Sequence, residues 1–384
     1  MTAPLDGVIV VAVEQAIAAP FATRQLADLG ARVLKIERPG DGDFARHYDT
    51  AVEGSSAFFV WGNRGKDSLE LDLKEPDDRA TFDTLVAGAD VFIQNLAPAG
   101  AERAGLLAHQ VREQHPSIIA CGISGYGLGG PRTDDKAYDL AIQAEAGAIS
   151  LTGSADEPSK VGFSVADIAS GMYAFSSILA ALYRRQATGE GATIEISMLE
   201  ALAEWTAAPT YGAVGRGVAP TRAGHRHAMI SPYGIYPLAD GSEILIAVQN
   251  QTEWEALARD ALQMPELITD KRFATNEARI TNIAEFEPVL RQGLASASAD
   301  EMLDRLRAAR IAFSRVNDPL ALWDHEQLRA RDRFLDTQIP TGATQTYRPP
   351  FNVDGLPDPT AVVPGLGEHD SGLVDELRRR ASGG

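Results

Sequence analysis

The sequence predicts an α/β protein: a doubly wound, mostly parallel sheet in the first half and a smaller α+β unit after it. Three observations carry this expectation. Val8 to Val13 is an unbroken, mostly β-branched run of the kind buried on both faces of a parallel sheet. Strand-like and helix-like segments then alternate as far as Ile123, as successive βαβ units do. Later in the chain Asp240-Gly241 stands between two alternating apolar runs, which is a hairpin signal.

The elements follow in order. Pro20, which lacks an N–H that a helix start would leave unbonded, opens the helical segment FATRQLADLG; this stops at Gly30, and the strand ARVLKIE begins at Ala31. The alternation continues with DSLELDL, a helix from Glu75 to about Ala89, DVFIQNL, a helix from about Gly100 to His115, and SIIACGI. After Gly130 the helices lengthen. One runs from Tyr138 to about Ser150 and another from Asp167 to about Gln186, where Ile168, Met172, Phe175, Leu179 and Leu182 recur at helical spacing. Gly189 and Gly191 end the second, and TIEISML adds a strand.

From Glu200 to His227 the chain is rich in Ala, Gly, Pro and Thr and reads as a helix running into a linker. YGIYPLADGSEILIAV opens the second unit, with helices expected at Trp254 to Leu262, Ile283 to Leu294 and Asp300 to Ala309. The Pro-, Thr- and Gly-rich tail from Asp336 to Pro364 is expected to cross back to the first domain before a short helix around Leu377. The boundaries are therefore 1–200 for the N-terminal part of the large domain, 201–227 for the linker, 228–330 for the small domain and 331–384 for the return segment.

Length and charge narrow the function. A chain of 384 residues exceeds one ordinary core, which suits a multi-part enzyme better than a binding module. Lys and Arg number 35 against 53 Asp and Glu, giving a net charge of -18, which argues against nucleic acid as a partner by repulsion. No apolar run approaches the roughly 18 residues of a membrane span. The start, MTAPLDGVIVVAVEQ, shows no export signal, which places the protein in the cytoplasm as an expectation. The single cysteine, Cys121, rules out an internal disulfide and a Cys-rich metal site, and no metal site stands out elsewhere.

The familiar cofactor and nucleophile motifs are missing or broken. The first βα turn, EQAIAAP, lacks the three glycines that bring backbone close to a dinucleotide pyrophosphate, and there is no GxxxxGK[ST] loop. Gly122-Ile123-Ser124-Gly125-Tyr126 nearly matches a nucleophile elbow, but Tyr126 replaces the closing glycine. His225 and His227 have no carboxylate at ligand spacing. Asp167 follows the extended KVGFSV and precedes a helical run, so its ordinary role is an N-cap; a carboxylate there is expected to stay ionised, which also suits a nucleophile. Tyr138-Asp139, after Lys136, reads as a second cap. Arg38, Lys74, Arg103 and Lys136 are basic positions, three of them at or just after the carboxyl ends of predicted strands or in the following turns, where α/β sheets bind ligands.

With these residues on the page, the chain resembles the class III CoA-transferase family, which includes formyl-CoA transferase and carnitine CoA-transferase and is related to the α-methylacyl-CoA racemases. The resemblance covers nearly the whole chain: PLDGVIVVAVEQAIAAPFATRQLADLGARVLKIERPGDGDFAR, NRGKDSLELDLK, KVGFSVADIASGMYA, ILAALYRRQATGEGATIEISMLEAL and LGEHD, in that order.

The resemblance implies a Rossmann-like large domain with an inserted smaller α+β domain, in an interlocked homodimer. It implies coenzyme A or acyl-CoA as substrate, with no tightly bound cofactor. It also implies that Asp167 is the nucleophile, forming a mixed anhydride with the donor acyl group and then an aspartyl-CoA thioester. By matching positions, Ala18, Arg38, Leu71, Asp72, Leu73, Lys74, Asn95, Leu96, Arg103, Lys136, Ala137 and Tyr138 would contact CoA. Two departures refine the expectation. Racemases of the superfamily carry His where this chain has Tyr138, which argues for transfer over racemisation; an α-methylacyl-CoA racemase or an intramolecular acyl-CoA isomerase is the alternative. Formyl-CoA transferases carry a glycine-rich loop where this chain has Gln249, Asn250 and Gln251, which argues against oxalate and makes Gln249 and Asn250 candidates for choosing the acid. The expected function is CoA transfer from an acyl-CoA, succinyl-CoA among the candidates, to a short carboxylic or dicarboxylic acid.

Overall fold

The computed structural model describes residues 2–369. Within them the chain falls into two compact units: 2–148, 160–215 and 330–369 in the first, 149–159 and 216–329 in the second.

The first unit is built on a six-stranded, all-parallel sheet. Its strands are β1 (Ile9–Val13), β2 (Arg32–Glu37), β3 (Lys66–Glu70), β4 (Val91–Gln94), β5 (Ile119–Ser124) and β6 (Ala192–Ser197), in the order β3-β2-β1-β4-β5-β6. The register aligns Val10 with Val33 and with Val91, and Ile93 with Cys121. Because side chains alternate across a strand, each apolar run serves both faces. Val10, Ala12, Val33, Ile93 and Cys121 face one way, packing with Ala19, Ala22 and Leu26 of α1 (Ala18–Asp28). Val11, Leu34, Ile36, Phe92 and Ala120 face the other way.

The remaining helices of the unit are α2 (Ala57–Asn63), α3 (Pro76–Ala87), α4 (Pro98–Ala104), α5 (Ala108–Gln114), α6 (Asp139–Glu145), α7 (Ala148–Leu151), α8 (Val165–Thr188), α9 (Met198–Trp205) and α10 (Ala207–Arg216), with α7 and the end of α10 running into the second unit. Phe82, Leu85 and Val86 of α3 and Val111 of α5 cover the second face of the sheet, while Ala174, Ile178 and Leu182 of α8 join α1 on the first. The long α8 is also apolar enough, by length and composition, to cross a membrane, although polar residues interrupt it so that it contains no unbroken apolar run of that length. Its inner face is part of this core.

The helix expected over 100–115 is two helices. Gly105, with φ of 69°, takes the left-handed conformation that ends α4. The stretch 138–150 is likewise split into α6 and α7. The α2 helix and a hairpin in the tail were not anticipated. The hairpin pairs β10 and β11, which follow three strands of the second unit: β7 (Tyr233–Pro237), β8 (Glu243–Ala247) and β9 (Ala312–Arg315). β10 (Phe334–Ile339) and β11 (Gly342–Tyr347) pair antiparallel, and Val362 bridges to Gln338. Residues 362–369 run along the outer edge of β3: Gly65 N–H donates to Val362 O, and His369 N–H to Ser68 O. An edge strand otherwise open to pairing is thereby covered. The helix expected around Leu377 lies outside the described residues.

In the second unit, β7, β8 and β9 form an antiparallel sheet in that order, and Asp240-Gly241 makes the β7–β8 turn as the hairpin signal predicts. Tyr236, Ile244 and Ile246 pack with Trp254, Leu257, Phe286, Leu290 and Met302 from its helices.

Candidate active site

Strand alternation places Glu14, just past β1, Lys35 and Glu37 of β2, and Lys66 and Ser68 of β3 toward the α1 side of the sheet, and all five are buried. They satisfy one another. Lys66 Nζ donates to Glu14 Oε1 (2.5 Å), Asn63 Oδ1 (3.0 Å) and Pro20 O (3.0 Å). Lys35 Nζ donates to Asp43 Oδ2 (2.8 Å) and lies 3.4 Å from Glu14 Oε1, while Thr23 Oγ1 donates to Glu14 Oε2 (2.7 Å). Burial opposes the charge on Lys35, but Glu14, Asp43 and Glu37 together overcome it and raise its pKa. Burial brings the Lys66 ammonium down to about 7 despite Glu14.

This network shapes the first βα turn. Asp43 Oδ1 accepts from Ala16 N–H (3.0 Å), a residue in the left-handed region at φ of 61°, and Asn95 clamps Gln15 from both sides of its backbone, at 3.0 and 2.8 Å. The glycine-free turn EQAIAAP is thus held by side chains where a glycine-rich one would rely on its own flexibility. Ala18 then starts α1, and its carbonyl lies so close to α8 that a Cβ on Gly171 would come within 2.6 Å of it. Only glycine permits that approach, one helical turn after Asp167.

Asp167 is not an N-cap. The cap position is Ser164, whose side chain makes no capping bond, and Asp167 is the third residue of α8. The carboxylate that caps α8 is Asp139, at the start of α6: its Oδ1 accepts from Ala166 N–H (2.7 Å) and Asp167 N–H (3.4 Å). Gln143 Nε2 steadies the other oxygen at 2.7 Å, and Gln143 Oε1 accepts from Val161 N–H (2.9 Å). Nor does Asp167 stay fully ionised at neutral pH. Burial, and then the like charge of Asp139, push its pKa up to about 7. Its carboxylate oxygens accept no hydrogen bond among the described residues.

Tyr138 holds the N-cap position of α6 with its ring 72% exposed. Tyr48, which no sequence signal marked, joins this group: burial, Asp43, Asp167 and Tyr138 push its hydroxyl up to about 12. The four cations marked in the sequence are all exposed, and none forms an ion pair among the described residues. Arg38 follows β2 directly, Lys74 lies in the turn after β3, Arg103 is in the last turn of α4 and Lys136 precedes α6.

The remaining positions are structural in this state. Asp72 ties its turn, with Oδ1 accepting from Lys74 N–H (3.0 Å). Leu71, Leu73 and Leu96 pack on the second core, and Ala137 fills the space over Gly125. Gln249 and Asn250 lie in the second unit, where Asn250 caps the helix Gln251–Ala256 through Glu253 N–H (3.0 Å). Ser124 Oγ accepts from Gly127 N–H, and burial pushes the Cys121 thiol up to about 12, so neither near-motif offers an activated nucleophile. Among the described residues no group of His, Cys, Asp and Glu could hold a metal ion.

Comparison with known proteins fits this arrangement. Residues 5–370 match CoA-transferase family III. Among characterised relatives, acetyl-CoA:oxalate CoA-transferase of Acetobacter aceti is 34% identical, covering 97% of this chain and 96% of that one. Succinate–glutarate CoA-transferase of Agrobacterium fabrum is 32% identical over the same shares. Among solved structures, a CAIB/BAIF family protein from Brucella suis superposes with a TM-score of 0.87 at 32% identity, covering 98% of this chain and all of that one. The chain belongs to CoA-transferase family III and is an acyl-CoA:carboxylate CoA-transferase.

Proposed function

We propose that the protein moves CoA from an acyl-CoA to a short dicarboxylic acid, through covalent intermediates on Asp167. The observation that carries this reading is the Asp167 carboxyl: unbonded, poorly solvated and held near pH 7 in the first turn of α8. Loss of water raises the reactivity of a carboxylate. As the anion it attacks the thioester carbonyl; the C–S bond breaks, CoA leaves as thiolate and a mixed anhydride remains. The thiolate attacks the aspartyl carbonyl, releasing the donor acid and leaving aspartyl-CoA. The acceptor carboxylate then attacks the aspartyl thioester, expelling CoA thiolate and forming a second mixed anhydride, and the thiolate attacks the acceptor carbonyl of that anhydride to give acceptor-CoA and the free Asp167 carboxylate. Arg38, Lys74, Arg103 and Lys136 are unpaired cations able to meet the CoA phosphates, against a chain of net charge -18.

The acceptor class is supported by the relatives, whose names include oxalate, glutarate and mesaconate. An oxalate-named relative at 34% identity brings oxalate back among the acids to test. A homodimer belongs to the same reading. Phe163, Met172, Tyr183, Trp205 and Tyr211 are large apolar side chains exposed on neighbouring segments of the first unit, which favours a covered face. The second unit, drawn mainly from 216–329, is on this reading the inserted small domain.

Hydroxylamine tests the mechanism. With acyl-CoA present and no acceptor acid, it is expected to convert Asp167 to the hydroxamate, read by peptide mass spectrometry. Asp167→Ala is expected to lose exchange by on the order of 10⁴-fold or more. Undiminished exchange in that variant would exclude the covalent route.

A further inference from the structure

We propose that the second unit holds its own binding site for a small carboxylate, centred on Arg226 and Ser231. A cavity of about 170 Å³ lies wholly within that unit. This is below the roughly 300 to 1,000 Å³ of pockets for drug-sized ligands, a size that suits a short acid.

The polar lining is left incomplete by the fold. Ser231 is 5% exposed; its N–H donates to Asn276 Oδ1 (2.9 Å) and its carbonyl accepts from Arg279 Nε (2.6 Å). The backbone is locked on both sides, yet its hydroxyl, lining the cavity, has no partner among the described residues. A buried hydroxyl left so costs about 1–3 kcal/mol. Arg226 is half-buried beside it, fixed by a backbone bridge to Gly234, and its guanidinium forms no ion pair or hydrogen bond among the described residues.

Neighbours extend the same chemistry. Arg222 uses Nε and Nη2 on the carbonyls of Ser154 and Ala155, which positions it without neutralising it. His227 stacks on Tyr233, and its Nδ1 accepts from Met229 N–H, leaving Nε2. Tyr236 of the lining donates to Glu287 Oε1, and Glu287 also pairs with Arg291, so that acid is already engaged. Ile280 and Ile283 give the cavity an apolar wall, which suits the short hydrocarbon body of an organic acid rather than a bare inorganic anion. A guanidinium fork and a hydroxyl donor are the groups that bind a carboxylate. The choice of carboxylate, though not the pocket, rests on the CoA-transfer reading.

Calorimetric titration of the wild-type protein without CoA reads the site, using succinate, glutarate, inorganic phosphate and neutral succinamide. A diacid is expected to bind while succinamide does not, with affinity about tenfold weaker in Arg226→Ala and about threefold weaker in Ser231→Ala. Arg226→Lys, which keeps the charge but not the fork, is expected to fall between and carries the test if the alanine variant does not fold. Unchanged diacid affinity in Arg226→Ala, or phosphate binding tighter than every diacid, would overturn the proposal. So would no diacid binding together with an altered dimer mass in Arg226→Ala, since the pocket would then hold a second copy's side chain. Exchange kinetics separate two sources of the acid. A raised KM for the acceptor alone identifies the acceptor; an unchanged KM with lost response to a non-accepted acid identifies an effector. Hydroxylamine capture on Asp167 needs no free acid, so its failure would sink the transfer reading and leave the titration intact.

Discussion

Two polar clusters lie in the first unit, and they are organised in opposite ways. Around Glu14, cations and anions alternate, Lys66 and Lys35 between Glu14 and Asp43, and every charged group has a partner. At the start of α8 two carboxylates, Asp139 and Asp167, stand together, and among the described residues no cation is paired to either. The first cluster fixes the backbone of a turn. The second keeps a carboxyl at the edge of ionisation. Complementary charge makes a part rigid and chemically silent, and like charge under partial burial makes a part reactive at a cost in stability.

The largest effect expected from breaking this contrast comes from the silent side. Lys66→Met leaves Glu14 buried without its closest counter-ion and is expected to destabilise the fold by about 3–5 kcal/mol, read by denaturant melts. A loss under 1 kcal/mol would show that the network is not structural. On the reactive side the sign reverses. Asp167→Asn is expected to stabilise the protein at pH 8 by about 1 kcal/mol while abolishing exchange. Because the folded pKa of about 7 lies above the unfolded 3.8, the wild-type penalty is absent below the unfolded value and grows as pH rises to the folded one. The advantage of Asn should therefore grow between pH 4 and 7 and level off above.

Activity should follow the same titration. The rate from free enzyme and acyl-CoA, kcat/KM, is expected to rise with pH through about 7 as Asp167 ionises. Asp139→Asn keeps an acceptor for the α8 cap but removes the like charge, and should move that rise to lower pH. A rise at unchanged pH would leave burial as the only cause. The smallest effects belong to the exposed cations. Alanine at Arg38, Lys74, Arg103 or Lys136 is expected to raise KM for acyl-CoA roughly 3- to 10-fold and to move stability by less than about 0.5 kcal/mol. A large loss of stability would mean that these side chains have a structural role.

Much of the fold was legible because it follows from local pattern. Val8 to Val13 and the alternation after it gave the strands of the parallel sheet, and Asp240-Gly241 gave the β7–β8 turn. The helix at 283–294 appears with the bounds expected. The misses have physical causes. Gly105 stops a helix that the apolar pattern alone would continue, and the tail's Pro and Thr content hid a hairpin whose pairing depends on register rather than composition. One unread clue was Lys35, a cation in the middle of an apolar strand, which is tolerated only if counter-charges are brought to it.

By itself the sequence determined the layer architecture, the hairpin and, through the order of its motifs, membership of CoA-transferase family III, since each rests on spacing within a short stretch or on stretches read one after another. Asp167 was marked as a candidate in the same way, but its state was not. That the cap of α8 is Asp139, 28 residues away, and that Glu14 meets Lys66, 52 residues away, are products of packing. Charge state follows the same rule: a carboxylate's pKa is set by the water it loses and the charges brought beside it, and only the folded chain decides either.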